Sequence, residues 1–346
     1  MTNACRSFYN SPEYAEIAPR LGSKIRLVET KNGVGFPYAV PIDWVPIWRN
    51  LRAPIPAWAR SHSSGYLGIT ADYVPSPLQF REAIEELELI VGSQSRWARR
   101  GSPIYRFMQP PLLTTGVMPD IDAIASESNE FSTAHDRTPV VLMTRIKELP
   151  ETADPVTEDF LGFPVLRDAP VGTEIYESYQ SPRRYDIRKA LGNALTVESH
   201  IDGDTASRVS RYREIRDVHV ASWTRTGLQP HTIAYFTDFS EAVIQSGGHE
   251  ILTIVRDVDG NILSFVIVHV MGKSALYSMN SSAPLGLKLG ANPLALHFAQ
   301  TAACLIGVQW FEFGRFPIDE SGKAATVTKY KAEFGGALYP VPAFAI

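Results

Sequence analysis

The sequence predicts an α+β protein with two domains, and three observations support this. Its 346 residues, 45% of them hydrophobic, suffice for one large core or two ordinary ones. Residues 17–167 are rich in proline, tryptophan and glycine, whereas the second half alternates regular helices and strands. Residues 148–168 between them are rich in proline and acidic side chains, as linkers commonly are. We therefore predict domains at residues 1–165 and 166–346.

The first domain is predicted to hold few long helices, because its prolines interrupt them. Strand-like segments at 24–29 and 35–40 flank Lys31-Asn32-Gly33, a turn sequence that predicts a β-hairpin. Apolar residues at helical spacing predict a helix over 77–91, and a β-branched run predicts a strand over 139–146.

The second domain is predicted to open with two helices and a three-stranded meander. The helices are placed at 206–223 and 233–246, and the strands at 249–256, 262–271 and 274–281. The turns Asp259-Gly260 and Gly272-Lys273 join β-branched runs, which is typical of antiparallel hairpins.

The closing elements follow the order of a known fold. They are a glycine-containing loop at 284–290, a helix ending at Gly307, a strand at 308–313 and a helix at 324–334 stopped by Gly335-Gly336. Asn292 as N-cap and Pro293 at the first helical position mark the start of the first helix. A meander, loop, helix, strand and helix is the order of the N-acetyltransferase fold, and other α+β domains share it.

Composition excludes several classes of protein. The 33 Lys and Arg against 37 Asp and Glu argue against coating nucleic acid by bulk charge, but leave a local basic groove open. Two distant cysteines, Cys5 and Cys304, exclude a disulfide framework, and the eight histidines lack metal-binding spacing. The first residues lack a signal-peptide core, and no run of about 18 apolar residues occurs. We expect a cytoplasmic protein with no membrane span and no metal.

Four fragments resemble one family. The strand end Phe311-Glu312-Phe313-Gly314-Arg315, followed by Thr328-Lys329-Tyr330-Lys331-Ala332-Glu333-Phe334-Gly335, resembles the closing signature of the Fem-type (FemABX-like) transferases of the GNAT-like superfamily. The basic segment at 181–189 and the opening segment at 8–14 resemble the same family. The closing pair is the specific part of the resemblance.

The resemblance implies two tandem GNAT-like domains, with mainly antiparallel mixed sheets flanked by helices and a degenerate first domain. It also implies transfer of an aminoacyl group from aminoacyl-tRNA to an amine of a small molecule or peptide, without a cofactor. In the best-known members the acceptor is a cell-wall precursor, whereas related enzymes in secondary metabolism use small amines or peptide antibiotics. This sequence lacks the long charged heptad segment of the helical arm found in some members, so we expect no such arm.

Two other functions remain open. An acyl-CoA-dependent N-acyltransferase fits less well, because the loop at 284–291 departs from the pyrophosphate-binding pattern of that class. The position expected to be basic is Leu287, and the last glycine or alanine position is Asn292. The third possibility is a non-enzymatic binding module on the same fold.

Lys331 is the first candidate catalytic residue. An aminoacyl ester is already activated, so the protein must position an amine, stabilise an oxyanion and manage one proton. Lys331 lies four residues after Val327, at the edge of the apolar stripe that Tyr330 and Phe334 continue. It is predicted to stabilise the oxyanion, and the alternative is a lysine that complements the helix dipole.

Glu312 is the second candidate catalytic residue. It is predicted to be a partly desolvated base or a structural partner of Arg315, which we place just beyond the strand. The predicted substrate-binding residues are Arg315, Tyr330, Asn280 and Lys288. Arg315 is also consistent with a surface arginine, and Lys288 with a tight loop that needs flexible glycines.

A basic segment is the candidate tRNA contact. Its members are Arg183, Arg184, Arg188 and Lys189, and further arginines follow at 208, 211, 213 and 216. Such a patch suits an RNA backbone despite the acidic total, although charge runs are also common on solvated faces.

Overall fold

The chain forms two compact units. The computed structural model describes residues 5–6, 8, 11–21, 23–41, 70–71, 78–79, 82–83, 85–86, 104–106, 140–145, 174–316, 323–340 and 343–345. The first unit is Met1–Val141 with Leu338–Ile346, and the second is Leu142–Ala337. The linker expected at 148–168 lies outside the described residues, so the domain bounds 1–165 and 166–346 stay a prediction.

The first unit contains a small antiparallel sheet. Its elements are β1 (Cys5–Arg6), α1 (Pro12–Ile17), β2 (Ser23–Glu29), β3 (Gly35–Pro41) and β4 (Thr70–Ala71), with the strand order β1-β4-β3-β2, and a separate pair of β5 (Ile104–Arg106) with β13 (Ala343–Ala345). The pairing of β2 with β3 confirms the predicted hairpin, whose turn residue Gly33 has a φ of 77°. Within the helix expected at 77–91, the six described residues are all helical.

The second unit carries most of the regular structure. Its helices are α2 (Glu174–Ser178), α3 (Ser181–Gly192), α4 (Thr205–Arg225), α5 (Ile233–Gln245), α6 (Pro284–Leu289), α7 (Ala291–Leu305) and α8 (Lys323–Ala332). The strands from residue 140 onward are β6 (Val140–Arg145), β7 (Thr196–Ile201), β8 (His249–Arg256), β9 (Ile262–Met271), β10 (Ser274–Ser282), β11 (Trp310–Phe316) and β12 (Ala337–Pro340). From β6 to β7 the strand order is β6-β11-β10-β9-β8-β7.

The sheet of the second unit is mixed. Neighbouring strands from β7 to β10 are antiparallel, whereas β10 and β11 are parallel. The predicted meander is confirmed: β8 and β9 have the expected bounds, and β10 ends one residue later than expected. The helices α4 and α5 also begin within one residue of their predicted starts.

Helices cover both faces of β8 and β9. On one face, the α4 face, side chains of α4 and α5 pack against alternate residues of the two strands: Tyr212, Ile215, Phe236, Leu252, Ile254, Phe265 and Ile267. Because side chains alternate along a strand, the intervening residues point to the opposite face, the α7 face, where α7 packs. Coverage on both sides explains why β8 and β9 are nearly continuous apolar runs.

The start of α7 differs from the prediction. The expected loop at 284–290 is the short helix α6, and Gly290, with a φ of 77°, ends α6 and is the N-cap of α7. Asn292 therefore lies inside the helix and does not cap it. Its side chain bonds to Tyr330 and is not available to the free backbone N–H groups.

The strand β11 also differs, and α3 and β7 are among the elements that were not expected. It begins at Trp310 and continues to Phe316, so the backbone of Arg315 lies within the strand and not beyond its end. The basic segment at 181–189, which the sequence marks only by its charges, is the helix α3. The strand β7 beside β8 was not predicted either.

We predict that Gly290→Ala destabilises the protein by more than about 2 kcal/mol, the sum of a left-handed backbone penalty and a steric clash. A Cβ at this position would lie 2.6 Å from the backbone oxygen of Asp186 in α3. The matched control is Gly260→Ala, because Gly260 has a φ of 83° but no atom within 4 Å of the position that the added methyl group would take. Only the backbone penalty of about 1 kcal/mol is expected there. Denaturant unfolding measures both, and equal losses would contradict the predicted clash.

Candidate active site

The candidate site lies where β10 and β11 stop pairing. Their parallel register runs from Ser274 opposite Trp310 to Leu276 opposite Glu312. Within the residues that the structure describes, the two strands are not paired beyond this point, although each continues for several residues. The register of β10 on β9 also shifts between Tyr277 and Met279, as at a β-bulge. Bulges of this kind are common beside active sites, because they re-aim side chains.

Glu312 and Lys331 are two ionisable groups at this opening, the first buried and the second half-buried. Glu312 is 1% exposed, and its Oε1 has no hydrogen-bond partner among the described residues. Burial raises the pKa of Glu312 to about 8, although the Lys331 charge acts to lower it. Burial likewise lowers the pKa of Lys331 to about 8, and the Glu312 charge acts to raise it. The structure therefore brings an acid and a base together with both pKa values near neutrality.

Asn292 links two of the predicted substrate-binding residues. It is 6% exposed, and its Nδ2 donates to the hydroxyl of Tyr330 at 2.9 Å. Its Oδ1 accepts a hydrogen bond from Asn280 Nδ2 at 3.3 Å. It also interacts with Tyr277, since burial raises the pKa of the Tyr277 hydroxyl and the Asn292 amide acts to lower it. The Asn292 amide on α7 thus joins β10 to α8. Asn280 and Tyr330 were predicted as site residues, whereas Asn292 was not.

Arg183 faces the interior. Its guanidinium lies 4.7 Å from the ring centroid of Tyr330 and pairs with Glu333 at 2.8 Å and with Asp186 at 3.1 Å. The contacts with Tyr330 and Glu333 connect α3 to the end of α8, beside Lys331. Arg183 therefore differs from the other three members of the predicted tRNA contact, because its guanidinium already pairs with side chains inside the unit.

The other three basic residues lie on the outer side of α3. Arg188 and Lys189 are exposed, and Arg184 pairs with the exposed Glu177 at 3.0 Å. Tyr185 lies among them with 60% of its surface exposed. This outer stripe, Arg184, Tyr185, Arg188 and Lys189, combines positive charge with an accessible aromatic ring.

Lys288 and Arg315 are not linked to the cluster by any described contact. Lys288 is exposed in the last turn of α6 and does not lie in a loop. Arg315 has its backbone in β11, and its side chain lies outside the description. Their predicted substrate contacts stay predictions.

Asn292 and Tyr277 are the site residues that the sequence reasoning missed. Asn292 is the one polar residue in the apolar first turns of α7, and a buried amide of this kind usually has a specific partner. Its position before a proline instead favoured the interpretation as an N-cap. Tyr277 carries no such signal, because a tyrosine in a strand usually serves packing.

Two kinds of feature are absent from the described part of the chain. No three His, Cys, Asp or Glu residues there are grouped so that they could hold a metal ion. No helix in the described ranges combines the length and apolar character that a bilayer crossing needs.

Comparison with known proteins identifies the fold. Residues 181–332 match the family model described as an acetyltransferase (GNAT) domain. The crystal structure of FemX aligns with a TM-score of 0.57 at 11% identity, over 98% of this chain and 92% of that chain. A search of curated proteins gave no match. At this identity the likeness to FemX shows a shared fold. The predicted α+β, GNAT-like fold class and the Fem-type resemblance are confirmed at that level.

Two lysylphosphatidylglycerol synthetase structures are also similar, but below a TM-score of 0.5. The C-terminal domain of a putative synthetase from Agrobacterium fabrum aligns at 0.48 with 12% identity, over 93% of this chain and 84% of that chain. L-PGS from Bacillus licheniformis aligns at 0.47 with 9% identity, over 92% and 82%. The fold assignment therefore rests on the GNAT domain and FemX.

We predict that Glu312→Gln changes how stability depends on pH. Because burial raises the pKa of Glu312 from 4.5 to about 8, the native state holds a proton that the unfolded state releases in this range. The free energy of unfolding should therefore fall as pH rises from about 4.5 toward about 8. Glutamine does not titrate, so this part of the decline should disappear.

Denaturant unfolding of the wild type and the variant across this pH range measures the difference. Asp217→Asn is the control, because Asp217 is an exposed carboxylate on α4. It should leave the decline unchanged, and an unchanged decline in Glu312→Gln would contradict the assignment.

Proposed function

We propose that this chain transfers an aminoacyl group from aminoacyl-tRNA to an amine of a small molecule or peptide, forming an amide bond. The observation that carries the proposal is the pairing of the buried Glu312 with the half-buried Lys331 at the point where β10 and β11 stop pairing. The GNAT fold supports acyl transfer in general. The outer stripe of α3 supports an RNA-linked donor in particular.

Lys331 is suited to stabilise the developing oxyanion. With a pKa of about 8 it is mostly protonated at neutral pH, and it lies in a largely desolvated position. A positive charge in such a position interacts strongly with a negative oxygen, because little water screens it. Because the ester is already activated, this stabilisation and correct positioning are the main requirements for transfer.

Glu312 is suited to accept the proton of the attacking amine. With a pKa of about 8, Glu312 is mostly protonated at neutral pH, but its ionised form is a stronger base than an exposed glutamate and the pKa lies close to the working pH. Its Oε1 lacks a hydrogen-bond partner among the described residues, so the atom is available to a proton donor from the acceptor.

Arg183 and Asn292 serve as positioning residues in this mechanism. The Arg183 guanidinium and the Asn292 amide hold opposite parts of the Tyr330 side chain, its ring and its hydroxyl. Tyr330 directly precedes Lys331 in α8, so both contacts restrain the turn that carries the ammonium group. Asn280, which bonds to Asn292, would then contact substrate from β10.

The outer stripe of α3 is the proposed tRNA contact. Its three cations suit backbone phosphates, and the exposed ring of Tyr185 offers a surface on which an unpaired base can stack. Lys288 and Arg315 are proposed to bind further phosphate or carboxylate groups of the donor or acceptor.

The first test compares two donors. We expect aminoacyl-tRNA to bind with an affinity that falls as salt rises, and we expect no measurable binding of acetyl-CoA. Neutralising Arg184, Arg188 and Lys189 together to glutamine should lower the slope of log affinity against log salt by about one for each phosphate that is no longer bound.

The control for this test neutralises Arg213 and Arg216, which are exposed on α4. It should leave the salt slope unchanged. Tight binding of acetyl-CoA without any effect of tRNA would instead favour an acyl-CoA-dependent N-acyltransferase, for which the match to the GNAT family model already gives a basis. Binding of neither donor would favour a non-enzymatic module.

The second test concerns Lys331. Lys331→Met keeps most of the length and packing but removes the charge, so turnover should fall by about a hundredfold or more, as for loss of one oxyanion donor. Lys329→Met is the matched control, because Lys329 is an exposed lysine of the same helix. A folded Lys331→Met protein with normal turnover would remove this residue from the mechanism.

A further inference from the structure

A line of hydrogen-bonded polar side chains crosses the α4 face of the sheet. The hydroxyl of Tyr212 donates to Glu250 Oε1 at 2.5 Å, and Glu250 Oε2 lies 3.3 Å from His269 Nε2. His269 Nδ1 lies 2.6 Å from the hydroxyl oxygen of Ser278. The first three side chains are buried and Ser278 is half-buried, so the line runs from the core to a partly accessible hydroxyl.

The partners of His269 determine which of its nitrogens carries the proton. A carboxylate only accepts hydrogen bonds, so Glu250 takes one from Tyr212 and one from the Nε2–H of His269. When the ring is neutral, its Nδ1 is then unprotonated and accepts the O–H of Ser278 at 2.6 Å, a shorter contact than the 3.4 Å from the same hydroxyl to the carbonyl oxygen of Leu276. A hydroxyl bonded to a base that a carboxylate orients is the arrangement that activates a serine nucleophile.

A second serine and histidine on the same face lack this activation. Ser281 lies 3.2 Å from His219 Nδ1, but His219 Nε2 accepts the backbone N–H of His231. The neutral ring of His219 therefore carries its proton on Nδ1 and donates to Ser281. Of these two serines, only Ser278 lies beside a histidine nitrogen that can accept its proton and whose ring is hydrogen-bonded to a carboxylate.

The bulge in β10 places Ser278 on the α4 face, two residues beyond the last pairing of β10 with β11. Met279 packs in the core of the α4 face, and Ser278 bonds to His269 on that same face, so two consecutive side chains point to one side. Leu276 pairs with His269 on β9 and with Glu312 on β11, so the side chains of His269 and Glu312 lie on the same face of the sheet. The hydroxyl therefore lies on the face of Glu312, where β10 and β11 cease to pair.

We propose that Ser278 is a nucleophile that accepts the acyl group of an activated carboxylic ester, with His269 as its base and Glu250 as the orienting acid. The bond from Ser278 Oγ to the acyl carbon forms, and the bond from that carbon to the alcohol oxygen of the donor breaks. The serine proton passes to His269 Nδ1 and then to the departing alcohol oxygen. The inference rests on the proposed function only for the identity of the natural donor, an aminoacyl ester of tRNA.

The second step releases the acyl group to the acceptor. The amine nitrogen bonds to the acyl carbon, and the bond from that carbon to Ser278 Oγ breaks. In this two-step route His269, in place of Glu312, takes the amine proton on Nδ1 and returns it to Ser278 Oγ, so the enzyme returns to its starting state. Water in place of the amine would give hydrolysis with the same atom balance.

The test uses p-nitrophenyl acetate, a small activated ester that needs no tRNA. We expect a burst of nitrophenol equal to the amount of protein, and an acetyl group that peptide mapping by mass spectrometry locates on Ser278. Hydroxylamine should remove this group, because it is an ester and not a lysine amide. The mapping is done on the wild-type chain, so it does not depend on whether a variant folds.

Variants separate a catalytic role from a structural one. Ser278→Ala should abolish the burst, and His269→Gln should slow it by at least about a hundredfold, as in other serine triads. Ser281→Ala, with thermal melting as a check on folding, should leave the burst unchanged. Acetylation confined to lysines, or a burst that survives in Ser278→Ala, would overturn the proposal.

A parallel assay of aminoacyl transfer from aminoacyl-tRNA distinguishes the two proposals. Labelled Ser278 with no transfer from tRNA would leave the nucleophile in place and refute the proposed donor. Normal transfer by Ser278→Ala, with no ester on the wild-type serine, would refute the nucleophile and leave direct attack by the amine.

Discussion

The site depends on the β-bulge at residues 277–279, where the register of β10 on β9 shifts by one residue. Before the bulge, β10 is held between β9 and β11. After it, pairing with β9 continues while the described pairing with β11 has ended. The extra residue re-aims the side chains, so that Tyr277 faces Asn292 while Ser278 faces His269. One irregularity in one strand thus supplies polar groups on both faces of the sheet.

The polar groups around the bulge are costly to bury, and their partners explain why most of them are tolerated. An orphaned buried donor or acceptor costs about 1–3 kcal/mol, whereas a satisfied one is close to neutral. Asn292, Glu250 and His269 each have at least two hydrogen-bond partners. Glu312 Oε1 is the exception, because nothing among the described residues bonds to it. A buried carboxyl oxygen without a hydrogen-bond partner lowers stability, so its presence is consistent with a chemical role for Glu312.

The sequence predicted elements with a strong local pattern and missed those without one. β8 and β9 were placed correctly because their β-branched runs are bounded by Asp-Gly and Gly-Lys turns. α3 was missed because only Ile187 and Ala190 are buried along it, which leaves almost no apolar periodicity to detect. The partners within the site were also out of reach, since Asn292 and Tyr330 are separated by 38 residues and only the folded sheet brings them together. Glu312 and Lys331 were found because the resemblance pointed to their motifs.

The contacts of α8 have a consequence for how the second unit is made. Gln180 N donates to Glu333 O at 2.9 Å, Arg183 pairs with Glu333, and Gly335 approaches the backbone of Ser178 so closely that a Cβ would lie 2.8 Å from its oxygen. The segment of α2 and α3 is thus fastened to the end of α8, about 150 residues later in the chain. During synthesis, the sheet strands β7 to β10 are available long before α8 leaves the ribosome. The lysine can take up its position only once these contacts across about 150 residues of chain have formed, so its site is among the last parts of the unit that synthesis can complete.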